Sequence, residues 1–223
     1  MAFHRGPHIV RDGLLMYLDA ANDKSYPGTG RAWYDLSGNN NSGNLVNNPD
    51  FIPDVNRGSI LFTNTNDYAI LPNNIGYTNT VSAFAWFKSN GTPSGNYHII
   101  YGGQELEISV PTAGSLRVGL LTNTRYVSNH GSGLNDGEWH NIGFTFDGEN
   151  KIAYIDGENV GSQSVSGTLV NSFNDRTIGK YGSSSTYYLN GNISNCIIYN
   201  RPLTLDEVKH NYHIIKGRFD LLI

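Results

Sequence analysis

Hydrophobic residues in this chain fall into short runs with the two-residue period of β-strands. In VSAFAWFKS, residues 81–89, Ala83 and Phe87 belong to one face of such a strand, and Phe84 and Trp86 belong to the other. Because both faces are apolar, we predict that this strand is central in its sheet.

Similar runs recur with the 8–12-residue spacing of turns that is typical of β-sandwiches, about a dozen in all. WHNIGFTF and KIAYIDG flank Asp-Gly-Glu-Asn, which is a strong hairpin signal. The pattern predicts an all-β fold, a jelly-roll sandwich of two antiparallel sheets. The further predicted strands are residues 13–20, 59–62, 68–72, 97–103, 106–110, 115–121, 125–129, 139–146, 151–157, 176–182 and 191–200.

One segment near the end of the chain has the three-to-four-residue period of a helix instead. Thr204 is a suitable N-cap, and Glu207 three residues later completes a capping box. Gly217 is suited to end the helix. We therefore predict a short C-terminal helix over residues 204–216, packed on the rim of the sandwich through an apolar stripe of Leu205, Val208, Tyr212 and Ile215.

The remaining segments divide the chain into an N-terminal arm of residues 1–12, a sandwich of residues 13–216 and a C-terminal tail of residues 217–223. Residues 22–45 are rich in Gly and Asn and are predicted to form a long loop, held down by Trp33, Tyr34 and Leu36. Loops of this length are usually functional or internally packed. The tail ends in three apolar residues, Leu221, Leu222 and Ile223.

Composition and charge argue against nucleic-acid binding and membrane insertion. The 223 residues include 26 Gly, 14 Tyr and 15% charged residues, and the net charge is −4. Without a Lys/Arg run we expect no nucleic-acid partner. Without an apolar stretch of about 20 residues or a signal-peptide pattern we expect no membrane insertion. Cys196, the single cysteine, is expected to be a buried thiol.

The succession of motifs resembles one family. GLLMYLDA is followed by DLSGN, then by Gly58 to Tyr68, VSAFAWFK, the GEWHNIGFTFDG hairpin, and GNISN leading into the helix. This order, over roughly residues 13–216, is similar to the laminin G-like branch of the concanavalin A-like lectin/glucanase fold. The opening segment together with NYHIIKGRF resembles the version found in structural proteins of tailed bacteriophages.

Two groups of residues suggest glycoside chemistry, a pair of glutamates and a Glu-Trp-His triplet. Glu105 and Glu107 share a strand face about 7 Å apart, a separation that suits the paired carboxylates of glycosidases. The resemblance implies three alternating acids for an active glucanase, and only two are present, so we interpret the pair as a solvated strand face. In GEWHNIGFTFDG, alternation puts Glu138 and His140 on one face and Trp139 on the other, and the resemblance makes Trp139 a core landmark.

The resemblance also raises the possibility of a structural calcium ion. Its ligands would be Asp19, Asp35, Asp67 and turn carbonyls near Gly38. Several relatives have an Asp where this chain has Ser194, which weakens that case. His210 and His213 lie three apart on the predicted helix without a third zinc ligand nearby. We predict no catalytic residue and no cofactor.

Surface tyrosines are the remaining candidates, because tyrosine suits both sugar stacking and protein contacts. They are Tyr97, Tyr101, Tyr126, Tyr181, Tyr187 and Tyr188.

The resemblance leads to three hypotheses. The first is a non-enzymatic virion structural protein, a capsid decoration or tail-associated module present in many copies and assembled in the host cytoplasm. Its arm and tail would contact other virion proteins. The second is a carbohydrate-binding module or adhesin for host surface glycans. The third is a glycoside hydrolase.

Overall fold

The computed structural model describes residues 8–53, 58–63, 66–170, 175–182, 184 and 186–219. This part of the chain forms sixteen β-strands and one α-helix. They are β1 (Leu14–Asp19), β2 (Ala32–Trp33), β3 (Gly43–Val46), β4 (Asp50–Ile52), β5 (Ser59–Thr63), β6 (Tyr68–Ile70), β7 (Val81–Ser89), β8 (Tyr97–Gly102), β9 (Leu106–Pro111), β10 (Leu116–Leu121), β11 (Arg125–His130), β12 (Trp139–Phe146), β13 (Asn150–Ile155), β14 (Glu158–Ser164), β15 (Thr177–Ile178), β16 (Asn190–Tyr199) and α1 (Leu205–Lys216).

The strands form two antiparallel sheets of a sandwich, as predicted. The first sheet has the order β14-β13-β12-β7-β16-β5-β4, and β1 also pairs with β16. The second sheet has the order β11-β10-β9-β8-β15-β6-β3-β2. β16 pairs with β7 along one edge, while β5 and β1 share its other edge.

The inner faces of both sheets contribute to one hydrophobic core. Ala83, Ala85 and Phe87 of β7 enter this core together with Phe144 of β12 and Ile108 of β9. Phe84 and Trp86 point to the opposite face of β7, into a second cluster under the helix. The prediction that β7 is central and buried on both faces is therefore confirmed.

The C-terminal helix has the predicted capping box, in which Thr204 accepts from the Glu207 N–H and the Glu207 side chain accepts from the Thr204 N–H. Its position differs from the prediction, because it lies on the outer face of the first sheet rather than on the rim. Tyr212 stacks on Trp86 with ring centroids 5.6 Å apart. Leu205, assigned to the apolar stripe, is 43% exposed, and the buried residues of the helix are Val208, Asn211 and Ile215.

Both described ends of the chain pack on this same face. In the arm, the Val10 N–H donates to Asn211 Oδ1 at 2.8 Å, and the Val10 carbonyl accepts from the Tyr199 hydroxyl at 3.0 Å. In the tail, Arg218 pairs with Asp19, and the Phe219 ring stacks on Trp86. Contacts of the arm (residues 1–12) and the tail (residues 217–223) with other virion proteins stay a prediction. Residues 1–7 and 220–223, including Leu221, Leu222 and Ile223, lie outside the described residues.

The predicted loop over residues 22–45 is wrong in part. It contains β2, and it runs into β3, whose backbone pairs with β2 and β6. Trp33 is fully buried and Leu36 packs on the second cluster, as predicted, but Tyr34 is 51% exposed. The strands β4 and β14 were also missed. Cys196 is buried as expected, and burial raises the pKa of its thiol. In the described residues no helix is long and apolar enough to cross a membrane.

Candidate functional site

The outer face of the second sheet carries a pocket of about 190 Å³. Its lining residues come from β8, β9, β10, β11 and the segment after β15: Tyr97, Ile99, Glu107, Arg117, Arg125, Tyr181 and Tyr187. A wider depression of about 440 Å³ shares Arg125, Tyr181 and Tyr187 with it. Together the two cavities reach the size of small-molecule sites, roughly 300–1,000 Å³.

Strand alternation explains why these side chains meet. Leu106, Ile108 and Val110 of β9 face the inter-sheet core, so Glu107 and Ser109 face outward. In the ladder, Ser109 lies opposite both Ile99 and Arg117. The outward residues of β8, β9 and β10 therefore form the floor of the pocket.

Glu107 is the centre of this floor. Its Oε1 accepts from Arg117 Nε at 2.9 Å and from Ser109 Oγ at 2.6 Å, while Arg125 Nη2 donates to Oε2. The residue is only 3% exposed. Its predicted position on a solvated strand face is therefore wrong, because two arginines cover the carboxylate.

A glycine makes room for this ion pair. Gly119 lies directly opposite Glu107 on β10, and a Cβ there would be 2.7 Å from Arg125 Nη2 and 3.0 Å from Glu107 Oε2. Both distances are shorter than ordinary van der Waals contact. Residue 119 must therefore be Gly for Glu107 and Arg125 to keep this arrangement.

We expect Gly119→Ala to displace the Arg125 guanidinium from Glu107 and to lower the free energy of unfolding by about 1 kcal/mol, at the low end of overpacking costs. Urea denaturation measures the loss, and a crystal structure of the variant shows the displacement. Gly217→Ala is the matched control, because nothing lies within 4 Å of a Cβ there. An unmoved Arg125 in the variant would contradict this interpretation of Gly119.

Three tyrosines form the wall of the pocket. The Tyr187 ring is edge-on to Tyr97 at 5.8 Å and to Tyr181 at 6.4 Å. The Arg117 guanidinium lies 5.2 Å from the Tyr97 ring centroid, and that of Arg125 lies 5.7 Å from the Tyr181 centroid. Such cation–π contacts hold the charged groups beside the rings.

The other predicted tyrosines are elsewhere. Tyr101 is 3% exposed in the core, Tyr126 packs against the inter-sheet core, and Tyr188 is 6% exposed beneath Lys180. Three of the six candidates thus line the pocket. Arg117 and Arg125 were not predicted as site residues, although the alternation in SLRVGLL places Arg117 on the face opposite to the core-facing residues.

Glu105 does not join Glu107 in the pocket. It is 1% exposed, and its Oε1 is 2.5 Å from Arg176 Nε and accepts from the Tyr77 hydroxyl at 3.1 Å. Burial raises the pKa of this carboxyl group. The two carboxylates suggested as a glycosidase pair thus have separate arginine partners.

The Glu138-Trp139-His140 triplet is divided between two faces, as alternation predicted. His140 Nδ1 lies 2.8 Å from Asp156 Oδ2, and this hydrogen bond raises the pKa of the imidazole. Glu138 is exposed. Trp139 is partly buried in the cluster under the helix, 4.8 Å from the Phe219 ring, rather than in the inter-sheet core. The three side chains therefore do not converge, and the bond between His140 and Asp156 links β12 to the end of β13.

The carboxylates considered for calcium already have donors. Asp19 pairs with Arg218, and Asp67 accepts from the Thr63 hydroxyl at 2.6 Å. Asp35 accepts from the Tyr17, Ser37 and Asn41 N–H groups. These contacts do not fit a calcium site.

The other metal-related residues are also engaged elsewhere. Ser194 Oγ donates to the Gly58 carbonyl, and His210 Nε2 lies 2.9 Å from the His8 carbonyl oxygen. No group of three or more metal-ligating side chains is present within the part of the chain that the structure describes.

A family model described as the concanavalin A-like lectin/glucanases superfamily, of the laminin G type, matches residues 63–209. The chain belongs to this superfamily. No curated protein sequence matches this concanavalin A-like chain with significant similarity.

Solved structures show the same fold. The binding domain of Paraclostridial Mosquitocidal Protein 1 has a TM-score of 0.70 at 18% identity, over 94% of this concanavalin A-like chain and 53% of that one. Domain 4 of AbnA, a GH43 extracellular arabinanase from Geobacillus stearothermophilus, in complex with arabinotriose, has a TM-score of 0.68 at 16% identity, over 89% and 98%. Trypanosoma rangeli sialidase in complex with sialic acid has a TM-score of 0.66 at 17% identity, over 95% of this chain and 34% of the sialidase. The chain thus spans about half of the first structure and a third of the sialidase.

Proposed function

We propose that this domain is a non-enzymatic carbohydrate-binding module whose ligand lies in the tyrosine–arginine pocket. The observation that carries the proposal is the pocket itself, in which three tyrosine rings stand beside hydrogen-bonding arginine side chains. The apolar face of a sugar ring packs on an aromatic ring, and its hydroxyls need fixed polar partners. A largely apolar lining with a few polar groups is typical of ligand sites.

The comparison with the arabinanase domain supports this proposal. That domain is described in complex with arabinotriose, and this chain covers 98% of it. The similarity therefore extends over nearly the whole of that arabinanase domain. At 16% identity it carries no residue-level assignment, so the position of the ligand here rests on the pocket.

The absence of catalysis is part of the proposal and rests on the state of the two glutamates. Glycoside hydrolysis needs one carboxyl group to donate a proton and a second to act as nucleophile or base. Both oxygens of Glu107 accept from arginines, and Glu105 is buried against Arg176. Neither is free to approach a glycosidic bond.

We expect Tyr187→Ala to weaken glycan binding by roughly thirty-fold or more, since aromatic hot spots contribute about 2 kcal/mol or more. Tyr187 is 37% exposed and contacts both other tyrosines, so its ring is the most accessible stacking surface of the pocket. A glycan array followed by isothermal titration calorimetry on the best ligand measures the effect.

Tyr34→Ala is the matched control, because Tyr34 is 51% exposed and does not line the pocket. Equal losses in the two variants, or a wild-type domain that binds no glycan, would refute the proposal.

The role in a tailed-bacteriophage virion stays a prediction from the resemblance of the opening and closing segments. It is compatible with glycan binding, because an adhesion module on a particle needs a ligand site that faces outward. Quantitative mass spectrometry of purified particles is the test, and absence of the chain from them would refute the prediction.

A further inference from the structure

The Arg117 guanidinium has two amino groups without a protein acceptor. Its Nε donates to Glu107 and its plane lies over Tyr97, while among the described residues Nη1 and Nη2 have no hydrogen-bond partner. The side chain is 24% exposed at the pocket. Two adjacent N–H donors on a rigid, oriented guanidinium match the two oxygens of a carboxylate.

The charge around the pocket favours the same ligand. Glu107 contributes one negative charge, whereas Arg117 and Arg125 contribute two positive charges. Lys151 is buried behind the sheet, where its Nζ donates to the Val118 carbonyl at 2.8 Å. Asp175, in the neighbouring depression, is held by Gln104 Nε2 at 3.4 Å. Of these five side chains at this end of the sheet, three are cationic and two are anionic.

On the basis of the proposed function, we infer that the ligand is an acidic glycan whose sugar carboxylate binds Nη1 and Nη2 of Arg117. The sugar ring then lies against the tyrosine wall. A neutral sugar would leave those donors bonded only to water, and it would gain nothing from the positive field.

The test uses matched probes in calorimetry with the full chain. Sialyllactose is compared with lactose, and trigalacturonate with its carboxyl-reduced form. We expect each acidic probe that binds to do so at least ten-fold more tightly than its neutral partner, and its affinity to fall as NaCl rises from 50 to 300 mM. Equal affinities of acidic and neutral partners would overturn the inference while leaving the proposed function in place.

Variants then assign the carboxylate to Arg117. Arg117→Gln is expected to remove the preference for the acidic probe, and Arg117→Lys to keep part of it, because Lys retains the charge but not the planar fork. Glu107 keeps Arg125 and Ser109 as donors in both variants, so the floor persists. Arg31→Gln makes the same charge change at an exposed position outside the pocket and should leave binding unchanged.

Two further outcomes are decisive. Unchanged selectivity in both Arg117 variants would overturn the assignment. A sulfated lactose that binds more tightly than sialyllactose would replace the carboxylate by a sulfate ester. If neither acidic nor neutral probes bind, and a glycan array is also negative, the proposed function fails together with this inference.

Discussion

Arg218→Met is expected to lower the free energy of unfolding by about 3–5 kcal/mol, the cost of removing one partner of a buried ion pair. Nη1 and Nη2 of Arg218 donate to the two oxygens of Asp19 at 2.7 and 2.8 Å, and Asp19 is 0% exposed. Without the guanidinium, Asp19 keeps the Tyr17 hydroxyl and the Ala21 N–H but remains a buried charge. Urea denaturation at pH 7 measures the loss.

A second substitution separates the charge from the packing. Asp19→Asn in the Arg218→Met background should recover part of the stability, because a neutral amide replaces the unpaired carboxylate. Lys209→Met breaks the exposed pair with Glu158, whose side chains are 38% and 68% exposed, and should cost about 1 kcal/mol at most. A loss for Arg218→Met no larger than that for Lys209→Met would contradict the expectation.

Lys151→Met is expected to raise the free energy of unfolding at pH 7 by roughly 1–3 kcal/mol. Burial, followed by the nearby Arg125 charge, lowers the pKa of Lys151 from 10.5 to about 8. A shift of this size means that burying the charged form of Lys151 costs about 3 kcal/mol. The variant also loses the hydrogen bonds to the Val118 and Tyr126 carbonyls, which reduces its expected gain in stability. Methionine has a similar length and carries no charge.

The lowered pKa of Lys151 also determines how its contribution to the free energy of unfolding changes with pH. Between about pH 8 and pH 10.5 the unfolded chain still carries the Lys151 proton and the native protein has released it. The contribution of Lys151 to wild-type stability therefore rises with pH through this window. Burial raises the pKa values of the Cys196 thiol and of tyrosines such as Tyr77, which act in the opposite direction above about pH 9 and pH 10 respectively.

Urea denaturation at pH 7 and pH 9.5 tests both statements. The stability advantage of Lys151→Met over the wild type should shrink from pH 7 to pH 9.5, while the difference between the exposed Lys24→Met and the wild type should not change. A variant that is less stable than the wild type at both pH values would show that the ammonium stabilises the fold, contrary to the expectation.

Most of the sandwich was predictable because its central strands bury side chains. β7 and β16 have apolar residues on both faces, and α1 has a capping box within a few residues of sequence. The missed strands β4 and β14 lack this signal. β14 reads ENVGSQS, without buried residues, and becomes a strand only by pairing with β13 at the edge of the sheet.

The pocket was only partly predictable, for a related reason. Tyrosines at sheet positions are abundant, and Tyr97 and Tyr101 differ in their surroundings only because a register shift between Ile99 and Tyr101 turns the later residues of β8. The role of Glu107 depends on arginines 10 and 18 residues away, which two further strands bring to it. Strand pairing, rather than the local sequence, decides which side chains meet.

The position of β16 in the first sheet constrains how the domain folds. This strand is the last one among the described residues, and yet it lies between β7 on one side and β5 and β1 on the other. During synthesis the edges of β7 and β5 therefore stay unpaired until about residue 199 has been made. Unpaired edges are templates for aggregation, and pairings between distant strands form slowly, in milliseconds to seconds. We therefore expect a growing chain of this domain to be most prone to aggregation just before β16 is complete.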